Sequence, residues 1–208
     1  MKLVKITFLF FLLGHLTSIA QNQESLELIE GLSQSLSLTD KQAAQVQNLM
    51  IQYRVKLDGI LLKHEGEEEP DIGAMIGEVR DERDQYRKDL KEILSKEQYQ
   101  SYIDQIDAVL TEMFNDLAEI RLMDAQASTS LTDDQITQLT PVIGKSLKSI
   151  VQLLFENAGT RLSIPKKVKI GKTVKKIEKE QRAAMENILT PEQMAKYDAH
   201  QEEKKKKK

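Results

Sequence analysis

Four copies of one pentapeptide constrain this chain most. L-[TS]-x-x-Q occurs at Leu38–Gln42, Leu94–Gln98, Leu131–Gln135 and Leu189–Gln193. Thr39, Ser95, Thr132 and Thr190 are residues that cap helix N-termini, and Gln42, Gln98, Gln135 and Gln193 follow three positions later. A glutamine there reaches back to the backbone N–H of the cap, which closes a capping box. Leu38, Leu94, Leu131 and Leu189 precede the caps, where an apolar side chain staples against the fourth helical residue. Those partners are Ala43, Tyr99, Ile136 and Met194. Pro191 occupies a first helical position, where its missing N–H costs nothing. The motif therefore sets four helix starts and carries no chemistry of its own.

The four motifs form two pairs, separated within each pair by 56 or 58 residues. Between them, apolar positions correspond: Val46 with Leu139, Met50 with Ile143, Leu57 with Ile150, Val79 with Val174, and Leu90 with Met185. A tandem duplication of one unit explains these matches. The apolar spacing is helical throughout. Ala43, Val46, Met50, Tyr53, Leu57 and Ile60 form one stripe. Ile72, Ile76, Val79, Tyr86, Leu90 and Ile93 form a second, interrupted by Arg83. Tyr99, Ile103, Ile106, Leu110, Met113, Leu117 and Ile120 form a third. No comparable stretch alternates with period two. Helices are predicted over 40–62, 71–94, 96–125, 133–157, 166–188 and 191–202, with a short helix or lead-in over 24–36. Ser95 marks a kink or tight joint. The 96–125 helix, about 45 Å long at its 1.5 Å rise per residue, bridges the copies. Pro141 is expected to bend its helix, and Asn157-Ala158-Gly159 to stop it.

The ends of the chain read differently. Lys2 and Lys5, the apolar run Ile6–Leu13 and the small-x-small Ser18-Ile19-Ala20 compose a cleavable export signal, too short to span a bilayer. The expected divisions are thus a signal peptide at 1–20, a lead-in at 21–37, a first helical unit at 38–127, a second at 128–203 and a lysine tail at 204–208. The signal implies export, with no transmembrane segment in the mature chain. With no cysteine in the sequence, disulfides and thiolate metal sites are excluded.

Without Lys2 and Lys5 the formal charge goes from −3 to −5, and its distribution says more than its sum. Glu65, Glu67, Glu68, Glu69 and Asp71 cluster at one place. From Arg161 to Arg182 the chain is basic. Lys166, Lys167, Lys169, Lys172, Lys175, Lys176 and Lys179, interleaved with Val174 and Ile177, are the candidate client-binding residues. They read either as a solvated helix face, pairing with the acidic cluster, or as a cationic rim that attracts acidic unfolded chains or anionic lipid.

Enzymatic signals fail. Gly144-Lys145-Ser146 and Gly171-Lys172-Thr173 resemble the end of a phosphate-binding loop, but Leu139 and Lys166 stand where its first glycine belongs. His64 and His200 have no His or Cys at metal-ligand spacing, and His64 with Glu65 and Glu68 is a weak cation site at best. No nucleophile–base pair is evident. No catalytic, cofactor-binding or metal residue is assigned, no cofactor is expected, and nucleic acid is not an expected partner.

An export signal, an all-helical body and paired L-T-x-x-Q motifs resemble the Spy/CpxP family of periplasmic proteins, over about residues 36–200. The best match is the late motif Asn187-Ile188-Leu189-Thr190-Pro191-Glu192-Gln193. The resemblance implies an all-α fold of elongated helical hairpins. Family members act as cradle-shaped homodimers without ATP, holding partly folded clients on an apolar and basic face. Two units in one chain imply either an intramolecular pseudo-dimer or two units strung apart. Ser95 replaces Thr in one motif and preserves the cap, and the His- and Met-rich termini of metal-responsive relatives are missing. The function implied is an ATP-independent periplasmic holdase. The alternatives are an envelope-stress adaptor docking on a sensor protein, and a structural module acting by homo-association.

Overall fold

The computed structural model describes residues 31–65, 71–159 and 162–206. Among them it is all-α. A short helical stretch over residues 31–35 precedes six helices: α1 (Asp40–Glu65), α2 (Ile72–Ile93), α3 (Lys96–Thr129), α4 (Asp133–Asn157), α5 (Ile164–Glu186) and α6 (Pro191–Lys206). No helix among the described residues is long and apolar enough to cross a membrane. The export signal at 1–20 and residues 66–70 of the acidic cluster lie outside the described residues. The chain divides into two compact units. Of the described residues, those from 31 to 105 form the first together with 158–159, and those from 106 to 157 and from 162 to 206 form the second. The divide falls inside α3, earlier than the boundary at 127 expected from the motifs, because the first turns of α3 pack with the first unit.

All four pentapeptides stand at helix starts, and each closes its capping box. The backbone N–H of Thr39, Ser95, Thr132 and Thr190 donates to the Oε1 of Gln42, Gln98, Gln135 and Gln193 at 3.1, 2.9, 3.1 and 3.1 Å. Each glutamine N–H donates back to the cap hydroxyl at 3.2–3.3 Å. At Ser95 the chain does not kink within a helix. Leu94 is extended (φ −93°, ψ 149°), so α2 ends and α3 begins anew. α4 continues through Pro141. Its stop is the expected one: Gly159 has φ 69°, the left-handed region that favours glycine.

The glutamines have a second role. A capping box uses only Oε1, which leaves the side-chain NH2 with two donors. In the first unit Gln42 Nε2 donates to Ile93 O at 3.0 Å and to Gln98 Oε1 at 2.9 Å, while Gln98 Nε2 donates to Leu36 O at 3.2 Å. In the second, Gln135 Nε2 donates to Ile188 O at 3.1 Å and Gln193 Oε1 at 3.0 Å. Gln193 Nε2 donates to Ser130 O at 3.0 Å. Two helix starts far apart in sequence are thereby clasped side by side. Ser37 and Ser130, just before the first leucine of each pair, adopt φ 50° and 56° at this junction.

In the first unit α1 and α2 form an antiparallel hairpin. Val46, Tyr53, Leu57, Met75, Val79, Tyr86 and Leu90 are buried along it. Tyr53 stacks on Tyr86 with centroids 4.7 Å apart, and Lys56–Glu82 (2.8 Å) and Lys63–Glu78 (2.7 Å) cross its surface. Tyr86 donates its hydroxyl proton to Tyr102. Ala158 and Gly159 belong to this unit: Arg80 Nη1 donates to Ala158 O at 2.7 Å, and a Cβ on Gly77 would lie 2.8 Å from Gly159 Cα.

The second unit is built around Ala118, Leu122, Ala125, Leu131, Ile136, Leu139, Ile143, Met185, Leu189, Met194 and Tyr197. This corrects the stripe expected on α3. The spacing through Leu117 and Ile120 leaves Ile120 63% exposed, and the buried line runs through Phe114, Ala118, Leu122 and Ala125 instead. The alanines let the helices approach closely, a packing advantage that a hydrophobicity pattern does not register. The same closeness occurs at Gly144, where a Cβ would lie 2.2 Å from Asn115 Oδ1.

Candidate binding face of the second hairpin

α4 and α5 pack against each other as the hairpin of the second unit, but only its motif end is sealed. No described residue between Leu147 and Ala184 is buried. Ile150, Val151, Leu153, Phe155, Ile170, Val174 and Ile177 are incompletely buried. Leu154, Val168 and Ile164 are 52%, 51% and 78% exposed. Exposed apolar side chains also occur on α1 (Ile51, Val55, Leu62) and on α3 (Val109, Ile120, Met123); what sets this stretch apart is that no described residue beneath them is buried.

The same stretch carries the basic run. Lys166, Lys167, Lys169, Lys172, Lys175, Lys176 and Lys179 are all exposed on α5, and Val174 and Ile177 lie on its half-buried side. α5 thus brings all nine candidate client-binding residues onto one helix, with cations outside and apolar groups toward α4. Lys176 reaches Glu180 at 3.7 Å. The side chains of the other six lysines have no ion pair or hydrogen bond among the described residues. The run ends at Arg182, which is fully engaged. It forks onto Asp198 at 2.9 and 3.1 Å and reaches Glu186 at 3.1 Å, and the Asp198 hydrogen bonds raise its pKa. Six of the seven lysines in the open part of the hairpin thus carry positive charge with no ion pair among the described residues, which favours long-range attraction of anions.

The phosphate-loop resemblances dissolve in the structure. Gly144-Lys145-Ser146 is helical, and Gly144 packs on Asn115 while Ser146 donates to Val142 O at 3.1 Å. Gly171-Lys172-Thr173 is mid-helix in α5. His64 is buried, with its Nε2 3.4 Å from Glu78 Oε1. Lys63 donates to the same Glu78 carboxylate and, with His64, lowers its pKa. Glu65 is exposed, and Glu68 lies outside the described residues. Asp71 caps α2 by accepting from Ala74 N–H at 3.0 Å.

One constellation was not legible in the sequence. His200 on α6 meets Ser128 Oγ with Nδ1 at 3.1 Å and Asp124 Oδ2 with Nε2 at 3.1 Å. Its members lie 72 and 76 residues apart, so no local spacing announces them; only the four-residue interval of Asp124 and Ser128 on one helix face was available. The order is that of a nucleophile–base–acid chain. However, the Ser128 hydroxyl donates to Ala125 O at 2.9 Å, and Lys204 shares the Asp124 carboxylate. Lys204 and His200 lower the Asp124 pKa. The trio ties α6 to the last turns of α3.

Comparison with known proteins adds one finding. Residues 21–102 match the family described as Domain of unknown function (DUF4890). The match takes in the first pair of motifs and the α1–α2 hairpin. No curated protein and no solved structure matches the chain.

Proposed function

We propose that this protein is an ATP-independent periplasmic holdase that retains partly folded clients on the open end of the α4–α5 hairpin. One observation carries this reading: apolar groups unburied from Leu147 to Ala184 lie on the same hairpin as seven exposed lysines. Apolar side chains such as Ile150, Leu153, Val174 and Ile177 would take up exposed client residues. The lysines would draw acidic segments and keep the loaded complex soluble. Burial of apolar area provides the binding free energy, at roughly 25 cal/mol per Å² removed from water, so no nucleotide is needed for capture. The resemblance of the paired motifs to the Spy/CpxP family supports the same function and location.

The test is aggregation of a reduced or heated client, followed by light scattering. Suppression at a few-fold molar excess of the mature protein is expected. L154S/V174S/I177S should lose most of it while keeping wild-type helix content. Absence of suppression by the wild type overturns the proposal. A second reading, an adaptor docking on an envelope sensor, draws on the α1–α2 hairpin, which is buried along its inter-helix line and presents Ile51, Val55 and Leu62 outward. One saturable partner without general anti-aggregation activity would favour it.

A further inference from the structure

The outward side of α5 is a different face from the one turned to α4, and its composition points to a second kind of partner. At roughly 100° per residue, Ile164, Val168, Lys169, Lys172, Lys175 and Lys179 fall within one outward arc of about 140°. Lys176 lies in the same arc and pairs with Glu180 at its edge, and Glu178 projects outside it. The six side chains named first are all exposed, and those of Lys169, Lys172, Lys175 and Lys179 have no partner among the described residues. We propose that this arc docks the protein onto an anionic lipid surface, with Ile164 and Val168 entering the headgroup zone and the lysines meeting the phosphates.

Shape and chemistry select this occupant. The outer arc of a straight helix is convex, so it fits a flat surface and cannot enclose a polypeptide. Interfacial helices combine lysines with a few apolar residues that sink into the headgroup boundary. Here Ile164 is 78% and Val168 51% exposed at the start of the same arc. A soluble acidic partner would use only the lysines, whereas a bilayer uses both. Each lysine near an anionic leaflet strengthens binding roughly fivefold. The proposal shares Lys169, Lys172, Lys175 and Lys179 with the holdase reading, but its apolar anchors Ile164 and Val168 are separate from that reading's Val174 and Ile177, so I164S/V168S and L154S/V174S/I177S tell the two apart.

The experiment is co-sedimentation of the full mature chain with phosphatidylcholine vesicles and with vesicles containing phosphatidylglycerol. Binding to the anionic vesicles alone is expected, falling steeply with added salt. K169E/K172E/K175E/K179E should weaken it by more than about a hundredfold, given roughly fivefold per lysine before repulsion is added. I164S/V168S should weaken it severalfold at constant salt dependence. Helix content of every variant is checked by circular dichroism, and K169A/K172A/K175A/K179A serves as a milder version. All variants keep the C-terminal lysines, so the difference between proteins reports α5. Equal binding to neutral vesicles overturns the proposal, as does undiminished binding of the charge-reversed variant. So does capture by immobilised polyglutamate without capture by vesicles.

Discussion

The two hairpins begin alike and end differently. Near the motifs, corresponding positions are buried in both: Val46 and Leu139, Leu90 and Met185. Farther out they part. Leu57 is 1% and Val79 0% exposed, but their counterparts Ile150 and Val174 are only partly covered. The glutamine clasp holds the start of each hairpin in the same way, so the difference does not arise there. It arises from what fills the far end. The first hairpin has the stacked Tyr53–Tyr86 pair, Met75 and cross-helix Lys–Glu pairs. Among the described residues the second has no aromatic stack or cross-helix ion pair at the corresponding places, and Ile150 and Val174 stand where the first has Leu57 and Val79. A duplicated framework can thus keep its joint while one copy closes and the other stays open.

The comparison is tested most severely by truncation of matched residues. Leu57→Ala should destabilise the protein by about 3 kcal/mol, as for fully buried leucines, whereas Ile150→Ala should cost about 1 kcal/mol because its site is already partly solvated. Urea unfolding followed by circular dichroism measures both, and equal losses would break the contrast. The shared clasp is probed by Gln98→Glu and Gln193→Glu. Glutamate preserves the capping box but removes the NH2 that donates to the partner carbonyl. The expected cost is about 2 kcal/mol in each unit, from one or two lost bonds and unmatched acceptors. A cost in only one unit would show that the joints are not equivalent.

Alkaline titration should separate the units by their tyrosines. Burial pushes Tyr53 from 10.0 up to about 12, and also raises Tyr86 and Tyr102 in the first unit; the second has Tyr197. A raised pKa in the folded state favours the neutral phenol. The stability it contributes is therefore complete below pH 10 and is lost as pH rises through the folded value. Tyrosinate absorbance should appear late and together with loss of the Tyr53–Tyr86 environment, while the helical signal of the second unit outlasts it. The smallest expected effect is at Gly171, where a Cβ meets nothing within 4 Å. Gly171→Ala should stabilise by about 0.5–1 kcal/mol through helix propensity. Gly144→Ala should instead destabilise, because its Cβ would come within 3.1 Å of the Asn115 backbone. Thermal melts of the two variants report opposite signs.

Helix starts were legible because capping is local: Thr39, Ser95, Thr132 and Thr190 need partners only three residues away, and the helical period follows from 3.6 residues per turn. The all-α class, the starts of α1, α3, α4 and α6 and the stop at Gly159 follow from such short-range chemistry, whereas α5 begins at Ile164, two residues before the expected 166, with no side-chain bond from its cap Ser163. The basic run was equally plain, since lysines in a row cannot all be neutralised within their own helix. Tertiary structure alone decided where the surplus glutamine donors went, that Ala118 and Ala125 and not Ile120 face the core, and that His200 reaches Asp124 and Ser128. It also decided that one hairpin seals along its length and the other does not. Those outcomes depend on how closely two backbones approach, which is fixed by shape and volume across the interface and is not encoded at any single position.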